Sequence, residues 1–175
     1  MPTKKQYIIT SITLGIIAAS SAALIGLTNL LTRDQIARNE KNKINAGIQE
    51  IFGKDSKASE EEKFEKEYKY LTGYYKVSDN EDKALGFAIK SSGSNMYGKI
   101  SLIIGFSQDT HAFLGLYTVV NEQTYASTLE ENYLIPLNDK KDLENVDVSC
   151  GATYGATLVR DMVLKASEAM EEIGK

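Results

Sequence analysis

Lys99-Ile100-Ser101-Leu102-Ile103-Ile104-Gly105-Phe106 is the stretch whose reading decides the fold. It is the most apolar strand-like run of the chain, rich in β-branched residues, and so reads as a central strand. Moving toward the N-terminus, Ser91-Ser-Gly-Ser-Asn95 reads as a loop and Ala84-Leu-Gly-Phe-Ala-Ile-Lys90 as a strand. Ser78-Asp-Asn-Glu-Asp82 is turn-like, and Tyr70-Leu-Thr-Gly-Tyr-Tyr-Lys-Val77 is aromatic and β-branched. Toward the C-terminus, Gln108-Asp-Thr110 turns the chain and Ala112 to Val120 returns beside the central strand. These connections are mostly short, which implies an antiparallel meander. Beyond it, Asn121 to Leu143 is polar, carrying Gln123-Thr-Tyr-Ala-Ser127 and Tyr133-Leu-Ile-Pro136, and either covers a ligand or wraps the domain. Leu158, Val159, Met162, Ala166, Ala169, Met170 and Ile173 share one face of a closing helix that stops at Gly174. The Met pair reads as core. The class is α+β, an antiparallel sheet flanked by helices.

The N-terminus is of another kind. Gln6 to Thr32 is 27 residues without a formal charge, in a chain where 25% of residues are charged. Tyr7 to Leu31 is rich in Ile, Leu and Ala, and a bilayer needs roughly 20 such residues. A cleaved signal peptide competes, because Ala18-Ala-Ser-Ser-Ala-Ala23 offers small-residue cleavage patterns. The apolar run continues to Leu31, beyond a typical signal core, so an uncleaved single-span anchor is the expectation. A buried core helix would show a polar face and is disfavoured. Basic residues flank both ends (Lys4 and Lys5; Arg33, Arg38, Lys41 and Lys43), leaving orientation ambiguous from charge. Past the span, Ile36, Ala37, Ile44, Ile48, Ile51 and Phe52 recur at helical spacing up to Gly53. One long helix leaving the membrane and bending onto the domain accounts for them. Lys54 to Glu67 is charged and reads as a solvated face or loop. The divisions are thus 1–32 for tail and anchor, 33–66 for exit helix and charged linker, and 67–175 for the domain.

The net charge is −4, and no Lys/Arg stripe is interleaved with aromatics, which disfavours nucleic-acid binding. With one cysteine, Cys150, and one histidine, His111, there is no thiolate cluster and no paired metal motif. Neither His111 nor Glu122 has a partner motif for general acid–base work, and both read as surface residues. Ten tyrosines and no tryptophan suit packing on sheet faces, with one or two available to stack on a planar ring.

The run that carries chemistry is Asp147-Val-Ser-Cys150-Gly151-Ala152-Thr153-Tyr154-Gly155-Ala156-Thr157, just ahead of the closing helix. Its small residues allow close backbone approach, and a helix N-terminus offers unpaired N–H groups at the positive end of a dipole. A phosphate suits such a place. A plain helix cap would account for the same residues, and spacing alone does not separate the two.

At these residues the chain resembles the FMN-binding domain of the membrane-anchored flavoprotein subunits of Rnf-type ferredoxin:NAD oxidoreductases and sodium-pumping NADH:quinone oxidoreductases. The resemblance runs through the span and Thr28-Asn-Leu-Leu-Thr-Arg-Asp-Gln-Ile36, Gly86-Phe-Ala-Ile89, Tyr97-Gly-Lys-Ile-Ser-Leu-Ile-Ile-Gly105 and Asp147-Val-Ser-Cys-Gly-Ala-Thr153. In the family the last pattern is Asp-x-x-Ser-Gly-Ala-Thr, and its Thr carries FMN through a phosphoester made by a separate flavin transferase. The resemblance implies Thr153 as the attachment residue, with Thr157 as its rival one helical turn on. The implied cofactor-binding set is Thr153 with Cys150, Gly151, Ala152, Tyr154, Gly155 and Thr157, together with Thr124 and Tyr97. Two departures stand out. Cys150 replaces the family's Ser, and Gln123-Thr-Tyr-Ala-Ser-Thr128 replaces Glu-Thr-Pro-Gly-Leu-Gly, with only Thr124 clearly kept. That loop lies near the flavin in relatives, so the ring's environment is expected to differ here.

The implied activity is electron transfer by a covalent flavin, with membrane redox subunits or other electron carriers as partners, a lipid bilayer around the span and the domain extracytoplasmic. A membrane-anchored binding or assembly module of the same fold, lacking cofactor, is the reading from another class. A flavin enzyme with its own substrate is a third, although no substrate pocket is specified.

Overall fold

The computed structural model describes residues 4–143 and 146–173. Five strands, β1 (Lys57–Ala58), β2 (Leu71–Ser78), β3 (Ala84–Asn95), β4 (Gly98–Ser107) and β5 (Phe113–Asn121), form one antiparallel sheet in chain order. Helix α1 (Lys4–Phe52) precedes it. Short α2 (Ala126–Leu129), a π-helical stretch (Glu130–Leu134) and α3 (Ile135–Lys140) follow β5, and α4 (Thr153–Ile173) closes the chain. The α+β class and the meander expected from the strand pattern are what the chain adopts. The chain forms two compact units, one ending at Lys41 and the other beginning at Asn42.

In the first unit α1 presents its apolar residues outward: Ile8, Ile12, Ile16, Leu24 and Leu31 are each more than half exposed. None of its apolar 18-residue window is buried, so this is no core helix, and it is long and apolar enough to cross a membrane. Its hydroxyls are satisfied within the helix. Thr10, Thr13, Ser21, Thr28 and Thr32 each donate to the carbonyl four residues back at 2.8–2.9 Å. Such back-bonding leaves no unmet hydroxyl donor on these side chains in hydrocarbon. Ile36, expected on a packed face, is exposed instead.

The second unit is built around the alternation along β4. Ile100, Leu102, Ile104 and Phe106 face one core with Phe87, Ile89 and Leu116, while Ile103 faces the other with Val77, Ala88 and Val119. Both faces are therefore covered. Each fully buried Ile or Leu contributes about 1.5–3 kcal/mol relative to exposure. On the second face lie Ile44 and Ile48 of α1, one turn apart and buried. The helix comes close: a Cβ on Gly47 would stand 2.5 Å from the Tyr117 ring, and one on Gly105 would strike Ile51. Lys43 Nζ donates to the Val119 carbonyl at 3.0 Å. Gly53, at φ +109, ends α1 with its N–H on the Gln49 carbonyl, as a C-terminal glycine does.

The first face carries α4 and the α2–α3 segment. The expected α4 face is buried from Leu158 through Met170, with Ile173 packed at its edge, while Gly174 lies outside the described residues. Two expectations change. Ser91 to Asn95 is not a loop but the second half of β3, paired in unbroken register up to Asn95↔Gly98. It stays extended because its hydroxyls have partners, Ser91 Oγ on the Tyr70 carbonyl and Ser92 Oγ against Ser101 Oγ. Gly93 also lets Leu158 of α4 sit where a Cβ would be, at 2.9 Å. The Lys54 to Glu67 linker is not only solvated: it supplies β1 and a further bridge, Glu62↔Tyr74, at the sheet's edge. The polar Asn121 to Leu143 segment packs on the domain in largely helical form, with Leu129, Tyr133, Leu134 and Leu137 fully buried.

Gly47→Val is expected to weaken the second unit by about 1–3 kcal/mol, since Tyr117 must be displaced. Gly26→Val, whose Cβ meets nothing within 4 Å, is expected to leave it unchanged. Urea unfolding of the two variants, followed by tyrosine fluorescence, checks the pair.

Candidate functional site

One end of the sheet holds the β3–β4 turn, the chain leaving β5, and the start of α4. The turn is two residues, Met96 and Tyr97, between the paired Asn95 and Gly98. Gly98 sits at φ +131, and a Cβ there would collide with the Glu122 carbonyl. That close approach lets residues 122–124 lie along the turn. Glu122 N donates to Lys99 O at 2.8 Å, and Thr124 N to Tyr97 O at 2.8 Å. Thr124 Oγ1 also reaches Tyr97 O at 3.2 Å, and Gln123 Nε2 donates to Gly98 O. The loop beyond β5 is thus bolted to the hairpin.

The start of α4 is shaped from the other side. Asp147 Oδ1 accepts from Ser149 N at 2.8 Å, and Cys150 N donates to Val148 O at 2.8 Å. Asn132 Nδ2 holds the Cys150 carbonyl at 3.0 Å, and Gly151 takes φ +85. Ala156 N donates to Ala152 O at 3.0 Å. The N–H groups of Thr153, Tyr154 and Gly155 therefore precede the first intrahelical bond and lie at the positive end of the dipole. Asn95 Nδ2 ties the Tyr154 carbonyl to the hairpin at 3.1 Å.

Between these elements opens a cleft of about 280 Å³, near the lower end of small-molecule sites. Tyr97 forms one wall, Gln123, Tyr125 and Leu129 another, and Gly151 to Gly155 a third. Among the described residues no charged side chain lines it. The Tyr97 ring lies 5.7 Å from that of Tyr125 and 5.5 Å from that of Tyr154. A Cβ on Gly155 would meet Leu129 at 3.0 Å and Gln123 Oε1 at 3.3 Å, so the glycine keeps the cleft open.

Of the residues singled out in the sequence, Thr153, Gly151, Ala152, Tyr154, Gly155 and Tyr97 come together on this cleft. Thr153 stands exposed at the first position of α4. Thr157 is exposed one turn further on, and does not line the cleft. Thr124 lies behind Tyr97, holding its carbonyl. Cys150 is half-buried and packs against the core. Gln123, Tyr125 and Leu129 were not singled out as site residues. Gln123 and Tyr125 stand out in the sequence only as parts of the departing loop, and Leu129 carries no signal beyond its spacing from Tyr133. His111 occupies the β4–β5 turn, at the opposite end of the sheet.

Behind the cleft, Tyr133 is fully buried and its hydroxyl has no partner among the described residues. Burial, chiefly, pushes its pKa up to about 12; Cys150 and Asp161 act in the same direction and Arg160 opposes them.

Residues 1–51 match the family model described as RnfG N-terminal region. The match supports a likeness to RnfG over that region; it covers α1 to Ile51 and includes none of the cleft residues. No curated protein matches the chain.

The raised pKa of Tyr133 gives an alkaline signature. Stability is full below pH 10, the tyrosine's ordinary value, and is lost as pH rises through about 12, because the unfolded chain releases that proton first. Tyr68 and Tyr74, also near 12, share this window. Tyr133→Phe is expected to flatten the loss between pH 10 and 12 and to cost nothing at pH 7, where it removes an unpartnered hydroxyl. Thermal unfolding across this pH range measures both.

Proposed function

We propose that the protein is a membrane-anchored flavoprotein that carries FMN esterified to Thr153 and passes electrons within a membrane redox chain or Rnf-like complex. The observation that carries this reading is convergence: the small-residue run and Tyr97, far apart in sequence, wall one cleft with the Thr153 side chain exposed at the start of α4.

The donor set fits the group. A threonyl phosphodiester keeps one negative charge where free FMN phosphate carries nearly two, and it meets the N–H groups of Thr153 to Gly155 and the dipole behind them. Among the described residues no Lys or Arg lines the cleft, which suits the lower charge. Gly155 leaves room that a side chain would fill. Attachment forms the Thr153 Oγ–phosphorus bond while the pyrophosphate bond of an activated flavin dinucleotide breaks. The nucleoside monophosphate leaves, and the hydroxyl proton passes to a base of the transferase.

When bound, FMN supplies reversible one- and two-electron transfer. The chain's own part is to hold and surround it. Thr153 fixes the phosphate end, Ala152 and Gly155 allow close approach, and Leu129 and the tyrosines exclude water from one side. An ester linkage prevents cofactor loss, which suits a domain on the extracytoplasmic side, where no flavin pool replenishes the site. The match over residues 1–51 supports membrane redox subunits as partners. A cofactor-free assembly module is favoured only by the departures at Cys150 and at Tyr125, whose ring occupies part of the cleft wall.

Co-expression with a flavin transferase is expected to add the mass of FMN less water and a yellow chromophore. Both vanish in Thr153→Ala and persist in Thr157→Ala. A colourless protein of unmodified mass favours the assembly module; intact mass and visible absorbance decide.

A further inference from the structure

We propose that the outer edge of β5 is a strand-pairing surface held shut by Asn138, and that its partner when open is the same edge of a second copy of this chain. β5 is the last strand of the sheet, so one of its edges has no strand beside it among the described residues. Such edges are usually guarded by charge, proline or a bulge. Phe113 to Asn121 holds no charged residue and no proline. Register shifts with β4 fall between Gly105 and Phe106 and between Ser101 and Leu102, leaving Gly115 to Thr118 as a regular run. Asn138 of α3 sits on that run. Its Oδ1 accepts from Leu116 N at 2.7 Å and its Nδ2 donates to Leu116 O at 2.9 Å. Those are the two bonds that an adjacent antiparallel strand makes with such a residue.

The surroundings hold Asn138 in place. Leu134 and Leu137, fully buried, fix α3 on the domain. Gly115 makes room, since a Cβ there would stand 3.2 Å from Asn138 Oδ1, at a φ of +148 that few side chains adopt. Further along β5, Lys43 Nζ occupies the Val119 carbonyl at 3.0 Å. The choice of a second copy follows from symmetry and charge. Leu116 offers both an N–H and a C=O outward, so Leu116 of an antiparallel copy returns both bonds across a two-fold axis. Gly115 then lies opposite Tyr117 of the copy, and Leu114 opposite Thr118. None of these is charged, so like strands meet without repulsion, and an uncharged, proline-free strand of apolar, aromatic and β-branched residues is the kind that self-pairs. Asn138 lies on none of the cleft's walls, and the guard is separate from the flavin reading.

Sedimentation of the full-length chain in detergent micelles, over a range of protein concentration, tests this against wild type, which has the same α1. Asn138→Ala is expected to strengthen self-association about tenfold, since it frees two backbone groups for pairing. Asn138→Ala/Thr118→Lys is expected to return to the wild-type level, because a lysine at the partly exposed Thr118 puts charge into the paired edge. Asn138→Ser retains one hydrogen-bonding group and carries the same expectation where Asn138→Ala does not fold, the fold being read by far-UV circular dichroism. A folded Asn138 variant that associates no more than wild type overturns the proposal. Equal association with and without Thr118→Lys does so too, by placing the contact elsewhere. Loss of the fold in both Asn138 variants makes the residue a structural requirement and overturns the guard as well.

Discussion

Burial of β4 on both faces is the constraint on which the second unit depends. A strand covered on one side tolerates variation on the other. β4 has no free side, so its residues must match two walls in size. The walls therefore come close enough that glycine is required at Gly93 under α4, at Gly105 under α1, and at Gly47 of α1 itself against Tyr117. With the sheet clamped this way, the β3–β4 turn is held rigidly at its end. The cleft inherits that rigidity, because Tyr97 and Gly98 supply the carbonyls to which the next loop is bolted.

The cleft itself is a compromise between polar anchorage and apolar cover. Helix α4 brings unpaired N–H groups to one side, while Leu129 and the tyrosines make the other side dry. These two demands come from distant parts of the chain, and they meet only because α2 and the π-helical stretch pack Leu129, Tyr133 and Leu134 beneath α4.

What could be read from the sequence followed local periodicity. The alternation in Lys99 to Phe106 and the helical spacing from Leu158 to Ile173 state their own geometry, and the apolar stretch from Tyr7 to Leu31 states its length. Ser91 to Asn95 misled because serine and glycine usually mark turns, whereas here their small size is what α4 packing demands. The helices within Asn121 to Leu143 are hidden for the opposite reason. Their buried Leu129, Tyr133, Leu134 and Leu137 are diluted by exposed polar neighbours and interrupted by Pro136, and the intervening π turn shifts the helical phase. The small-residue run at Gly151 to Gly155 was visible, but the partners that make it a cleft were not. Tyr97, Gln123 and Tyr125 reach it only through pairings that tertiary structure creates.

The segment that covers the second face of the sheet is made before the sheet exists. Lys43 donates to the Val119 carbonyl 76 residues later, whereas the strands of the meander join mostly to their immediate neighbours. During synthesis the last turns of α1 emerge first and wait as an unpaired apolar ridge until β5 is complete. The entropy of closing that long loop grows only slowly with its length, so the delay is tolerable in equilibrium terms. Kinetically it makes the union of Ile44 and Ile48 with Val119 one of the non-local events of folding, alongside the docking of α4 on β2 and β3.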